Sequence, residues 1–75
     1  MNRQATLARG IRQLQAMRDN VAQAMNDVGD IRARFADGAL TEREAVILLF
    51  ECHLAHARTS VELYDREIQF MRTLG

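Results

Sequence analysis

The residues of this chain best suited to chemistry lie in one short segment, Glu51-Cys52-His53-x-x-His56. On a helix, Cys52 and His56 are one turn apart and share a face, as do His53 and His56. Thiolate and imidazole are good zinc ligands, but the chain has no further Cys or His to complete a four-ligand site. We therefore interpret Cys52 as a small half-buried apolar residue and expect no metal and no cofactor. The alternatives are a zinc ion shared by two copies and a pH-sensitive interface at His53 and His56.

The sequence contains no recognisable catalytic constellation. Its hydroxyl and thiol side chains have no base at a spacing that would activate them, and no glycine-rich phosphate loop occurs. Glu62 and Arg66 have the spacing of an ordinary solvated helix pair. We therefore expect a protein that is not an enzyme.

Arginine supplies all ten basic side chains, and ten acidic side chains balance them, so the formal net charge is zero. This balance makes nucleic acid an unfavoured partner. Arg18, Arg32 and Arg34 are nevertheless candidates for polar contacts with a partner protein. For Arg18 and Arg32 the simpler interpretation is that their stems cover apolar surface while the guanidinium groups reach water.

The elements that would position these residues are two long helices. Gly38 can adopt the left-handed conformation that ends a helix, and Thr41 with Glu44 has the spacing of a capping box that begins another. We predict one all-α domain over 1–75, an antiparallel two-helix hairpin that resembles a coiled coil. Its first helix spans about 3–36, its turn 37–41 and its second helix about 42–73. The first helix is expected to continue through Gly29, with a break over 26–30 as the alternative.

Both helices carry apolar residues at the alternating spacing of three and four that is typical of coiled coils. In the first helix this row consists of Leu7, Ile11, Leu14, Val21, Met25, Val28 and Phe35, with Arg18 and Arg32 between them. In the second helix it consists of Ile47, Phe50, Leu54, Ala57, Val61, Tyr64, Ile68 and Met71. Folding at Gly38 sets Val21 opposite Ala57 and Leu14 opposite Tyr64. We therefore predict that these two rows form the seam of the hairpin.

Further apolar residues outside these rows, together with Phe50 in the segment 46–50 that is apolar on all sides, predict an interface with another chain. We expect this partner or dimer interface to contain Met17, Ala24, Ile31, Val46, Leu49, Phe50, Leu63, Phe70 and Leu74. Contiguous apolar patches of this kind usually mark protein interfaces. The expected partners are a second copy, giving a four-helix bundle, and an unidentified protein.

Composition and patterning together favour a small protein-binding module, such as an adaptor, co-chaperone or inhibitor. The alternatives are a structural subunit of a larger assembly and, less favoured, a nucleic-acid-binding regulator. No apolar run is long enough to span a bilayer, and the N-terminal residues do not resemble a secretory signal. Because the single cysteine also suits a reducing compartment, we expect a cytoplasmic protein without membrane partners.

Overall fold

The computed structural model describes residues 3–75, which form two helices and contain no strand. Helix α1 spans Arg3–Ala36 and helix α2 spans Glu42–Leu74. The helices pack against each other along their length as an antiparallel hairpin. The predicted all-helical hairpin is confirmed, and α1 continues through Gly29 without a break.

The turn between the helices is built by Gly38. Its φ of +79° is the left-handed conformation that a side chain would make costly. In this conformation the Ala39 amide donates to the Arg34 carbonyl at 2.9 Å and the Gly38 amide donates to the Phe35 carbonyl at 3.1 Å. These two bonds satisfy carbonyls at the end of α1 and reverse the chain within a few residues.

A capping box begins α2, as the sequence predicts. The Glu44 amide donates to Thr41 Oγ1 at 3.1 Å, and the Thr41 amide donates to Glu44 Oε1 at 2.9 Å. The two bonds satisfy amides that have no partner in the first turn of a helix. Together with Gly38 they fix the point at which the chain folds back.

We call the contact between the two helices the seam. At the tip of the hairpin it contains a small buried cluster of Ile31, Leu40 and Ala45, packed against Leu48 and Leu49. Further from the tip, Leu63 is also buried, with 6% of its surface exposed. The buried apolar residues of the described chain are few, so the hairpin alone has a very small core.

The predicted assignment of apolar rows to the seam is wrong. Leu14 and Phe50, which were expected there, are each 65% exposed, whereas Ile31 is 7% exposed. The α1 side of the seam is a different heptad row, whose members are Thr6, Gly10, Gln13, Met17, Asn20, Ala24, Asp27 and Ile31. The α2 side consists of Ala45, Leu49, Cys52, His56, Ser60, Leu63, Glu67 and Phe70. Hydrophobic periodicity selects the more apolar rows as the contact between the helices. Polar side chains of the seam are nevertheless stable there, because several of them form hydrogen bonds to the other helix.

The prediction of which residues of α1 lie opposite which residues of α2 agrees with the structure. The Gln13 amide reaches the Leu63 carbonyl, and the Asn20 amide reaches Ser60. Near the open end, the Phe70 ring lies 3.4 Å from the position that a Cβ of Gly10 would occupy. The helices are therefore rotated about their axes relative to the prediction, but they are not shifted along them.

Replacement of Gly29 or Gly38 by alanine should change the stability of the fold in opposite directions. Gly29→Ala places a methyl group in open space on a helix, and we expect it to raise the free energy of unfolding by about 0.5–1 kcal/mol. Gly38→Ala forces a side chain into the left-handed region, and we expect it to cost about 1–2 kcal/mol. Chemical denaturation of both variants at one protein concentration checks this. A loss of stability in Gly29→Ala would contradict the helical, open environment of that residue.

The capping box predicts a pH-dependent contribution from Glu44. Hydrogen bonds from the Thr41 backbone and side chain lower the pKa of Glu44 below its usual value of 4.5. A carboxylate with a lowered folded-state pKa stabilises the protein above the unfolded-state pKa, and this stability disappears as the pH falls through the folded-state value.

At pH 6 we therefore expect the thermal unfolding midpoint of wild type to be higher than that of Glu44→Gln. This difference should disappear as the pH falls well below 4.5. Thermal unfolding followed by circular dichroism between these conditions measures the difference. The matched control is Glu62→Gln, which removes an exposed carboxylate from the middle of α2. A gap for Glu44→Gln that did not change with pH would contradict the capping role.

Candidate protein-binding face

Apolar side chains that the seam does not cover run along α1. They lie one residue after the seam positions, which turns them about 100° around the helix, away from the seam and toward solvent. The exposed members of this row are Leu7, Ile11, Leu14, Val21, Met25 and Phe35. Val28 continues the row and is half-buried. This helix therefore has an apolar stripe over most of its length that packs against nothing in the hairpin.

A corresponding stripe runs along α2. Its members lie one residue after the seam positions, or two in the case of Ile47 and Leu54, and none of them is charged. Its exposed members are Ile47, Phe50, Leu54, Val61, Tyr64, Ile68 and Met71. Ala57 is half-buried and provides a small side chain near the middle of the stripe.

The two stripes lie on the same side of the hairpin. Viewed from one end of the hairpin, successive residues of two antiparallel helices proceed around their axes in opposite directions. Rows that are offset from the seam by the same number of residues therefore lie on the same side of the hairpin. The concave surface between the helices agrees with this, because Val21 and Val28 line it together with Ala57. We call the two stripes together the apolar face.

The opposite side of the hairpin is polar. Most of its charged and polar residues lie one position before the seam positions, and they are exposed on both helices. On α1 they include Arg9, Arg12, Asp19, Gln23, Asn26, Asp30 and Arg34. On α2 they include Glu51, Arg58, Thr59, Glu62 and Arg66. The hairpin is therefore a single layer of two helices with one apolar and one polar surface.

The apolar face is large for a protein of this size. The layer of Cα atoms is 56 Å long and 18 Å wide, and exposed apolar side chains run along it from Leu7 to Phe35 and from Ile47 to Met71. Apolar patches on monomers are normally much less extended than this. A patch of this extent and regularity is typical of a surface that another chain covers.

The interface residues predicted from the sequence divide between two locations. Val46, Phe50 and Leu74 are exposed, and Phe50 belongs to the apolar face. The other six occupy positions between the two helices, and they are Met17, Ala24, Ile31, Leu49, Leu63 and Phe70. Ile31 and Leu63 are buried there, so the hairpin leaves no open surface at these two positions. The surface that is open consists of the rows that periodicity assigned to the seam.

The three arginines considered as polar contacts are all exposed. Arg18 and Arg32 lie in the row of the apolar face, and Arg18 Nη2 is 3.4 Å from Asp19 Oδ1 in an exposed pair. Pairs of this kind contribute little to stability. Arg34 lies on the polar side near the tip, where its charge also helps to lower the pKa of Glu44.

A polar cluster interrupts the middle of the seam. Asn20 Nδ2 donates to the His56 carbonyl at 3.2 Å and to Ser60 Oγ at 2.9 Å. His56 Nε2 lies 2.8 Å from Asp27 Oδ2, and Gln23 donates to the other Asp27 oxygen at 3.0 Å. The hydrogen bond from His56, followed by that from Gln23, lowers the pKa of Asp27. These contacts connect α1 to α2 through side chains whose partners are specific.

The same cluster contains the one group of possible metal ligands among the described residues. Donor atoms of Asp27, Cys52 and His56 all lie within 4.8 Å of one another. The sequence prediction named Cys52 and His56 but missed Asp27, and it considered His53, which is exposed outside the cluster. The predicted pairing levels could have identified Asp27, because folding at Gly38 sets position 27 opposite positions 51 and 52.

Neither α1 nor α2, over the residues described, is long and apolar enough to cross a membrane. No protein-family model, curated protein or solved structure matches the chain significantly. The function is therefore inferred from the chain's own surfaces.

Two asparagines of α1 provide a matched test of the polar cluster. Asn20→Ala removes hydrogen bonds to α2, and we expect it to lower the free energy of unfolding by about 1–2 kcal/mol. Asn26→Ala changes an exposed asparagine of the same helix, and we expect it to be neutral or slightly stabilising because alanine favours helix. Urea denaturation measures both values. Equal effects of the two substitutions would contradict the importance of the seam contacts.

Proposed function

We propose that this chain is a non-enzymatic protein-binding module that acts through its apolar face. The observation that carries the proposal is the continuous apolar surface on both helices, which the hairpin leaves uncovered. Leaving apolar surface in water costs about 25 cal/mol per Å². Burial of the apolar face is therefore a strong driving force for association. The function depends on the identity of the chain that covers this face.

A second copy of the chain fits this face best. The stripes have heptad spacing on two adjacent helices, so the complementary surface is another pair of helices of similar length. Two such hairpins placed face to face would form a four-helix bundle with the stripes as its core. Large side chains such as Phe50 and Tyr64 alternate with the small Ala57, which suits interdigitation.

Size and charge also favour self-pairing. The apolar stripes run along most of both helices of a layer 56 Å long, so a second hairpin of the same length would cover them from end to end. Because the formal net charge is zero, two copies do not repel each other. Arg18 and Arg32 can lay their stems on the core and extend their charged groups to the rim.

The polar opposite side argues for a closed dimer rather than a filament or particle subunit. Once two apolar faces meet, the side of each copy that faces outward carries mainly charged and polar residues. Those outer residues and the hairpin tip would then be the surfaces on which an adaptor or inhibitor contacts another protein. The balanced charge likewise gives no support to nucleic-acid binding.

A charged residue at the centre of the apolar face tests the proposal. Leu54 is 58% exposed in the hairpin, so Leu54→Arg should disturb the hairpin itself very little. In a paired bundle it would bury an uncompensated charge. Ala55→Arg adds the same charge to the polar side and serves as the matched control.

We expect the thermal unfolding midpoint of wild type and of Ala55→Arg to rise with protein concentration, because association stabilises the folded state. For Leu54→Arg the midpoint should be lower and independent of concentration. Circular dichroism over a wide concentration range gives these midpoints. A wild-type midpoint that did not depend on concentration, with Leu54→Arg equal to Ala55→Arg, would contradict self-pairing and leave a different protein as the occupant of the face.

A further inference from the structure

The polar cluster of the seam brings together three side chains with different metal-binding chemistry. Asp27 comes from α1, and Cys52 and His56 come from adjacent turns of α2. His56 Nε2 is 2.8 Å and Cys52 Sγ 4.0 Å from Asp27 Oδ2, and all three donor atoms lie within 4.8 Å of one another. Asp27 and His56 are only partly exposed, with 42% and 19% of their side chains accessible.

Hydrogen bonding fixes the orientation of the His56 ring. Asn20 Nδ2 already donates to the His56 carbonyl and to Ser60, so Asn20 Oδ1 is the atom that faces His56 Nδ1, at 3.1 Å. An amide oxygen only accepts, so Nδ1 carries a proton. Nε2 is then the atom aimed at the Asp27 carboxylate. Nε2 and Asp27 Oδ2 are 2.8 Å apart, so an ion bound through Nε2 would also lie within reach of the carboxylate.

We propose that Asp27, Cys52 and His56 form a three-ligand site for a divalent transition metal ion of the zinc class, bound between α1 and α2. Carboxylate, thiolate and imidazole are the three ligand types that zinc accepts in proteins. Binding would release the proton from the Cys52 thiol and leave the neutral His56 ring bound through Nε2.

The surroundings of the ligands support the site. Asn20 accepts from the ring nitrogen that does not bind the metal, and Gln23 donates to Asp27 Oδ1, which leaves Oδ2 for the ion. Outer contacts of this kind orient ligands and commonly change metal affinity by about 10–100-fold. Zinc bonds of about 2.0–2.3 Å require the donor atoms to settle about 3–4 Å apart. The present separations of 2.8 Å and 4.0 Å, with all three donor atoms within 4.8 Å of one another, are close to this range.

Access to the site comes from the polar side of the hairpin. Asp27 and Cys52 line a surface cavity there together with Asp30 and Glu51. These two carboxylates attract a cation, and a fourth ligand such as water can enter from the same side. Cys52 and His56 also line the concave surface on the apolar face, so pairing of these faces would cover the site from one side and leave the polar side open.

Cobalt(II) serves as the probe, because it is coloured where zinc is not. Titration of the reduced protein at neutral pH should give one Co²⁺ per chain, with a thiolate charge-transfer band that Zn²⁺ then removes. Cys52→Ser should lose this band, and Asp27→Asn and His56→Gln should weaken binding at least about tenfold. His53→Gln is the matched control, because His53 lies outside the cluster and should bind like wild type.

Thermal unfolding provides a second readout on wild type itself. Zn²⁺ should raise the unfolding midpoint of wild type and of His53→Gln, but not that of Asp27→Asn, because the ion joins the two helices. Failure of wild type to bind one Co²⁺ per chain through a thiolate at micromolar metal would overturn the proposal. Loss of binding in His53→Gln would also overturn it. The Leu54→Arg variant should bind the probe normally if it remains helical, which separates this proposal from self-pairing.

Discussion

Two antiparallel helices form a single layer, and this constraint governs the rest of the structure. Each helix can hide only the side that faces its neighbour. In this chain that side contains Ile31 and Leu63, whereas the stripe that includes Leu14 and Leu54 faces solvent. In the proposed assembly the hairpin is one half of a packed structure, and burial of its apolar face supplies the driving force for association.

The seam and the apolar face have different physical roles. The seam contains polar groups whose partners are specific, such as Asn20 with Ser60 and His56 with Asp27. Such contacts add modest free energy, but a shift along the helices would leave partly buried donors and acceptors without partners. The apolar face, by contrast, is non-directional. Burial there would provide the larger share of the stability, while the seam sets the alignment of the two helices.

The main features of the fold could be predicted from the sequence because they depend on local signals. Gly38 identifies the turn, Thr41 and Glu44 identify the capping box, and folding at that glycine gives the correct pairing levels. The row of each helix that faces its neighbour could not be predicted from hydrophobic periodicity. That method selects the most apolar row, and it cannot recognise that Gln13 and Asn20 would find partners on α2. Asp27 was missed for the same reason, since its partners lie on the other helix.

We propose that a second copy covers the apolar face. The most direct test is the absolute mass of the wild-type chain in solution, measured by light scattering on a sizing column over a hundredfold range of concentration. Self-pairing predicts a discrete species of twice the 8.5 kDa chain mass at all but the lowest concentrations. A folded, well-behaved monomer throughout the range would contradict it.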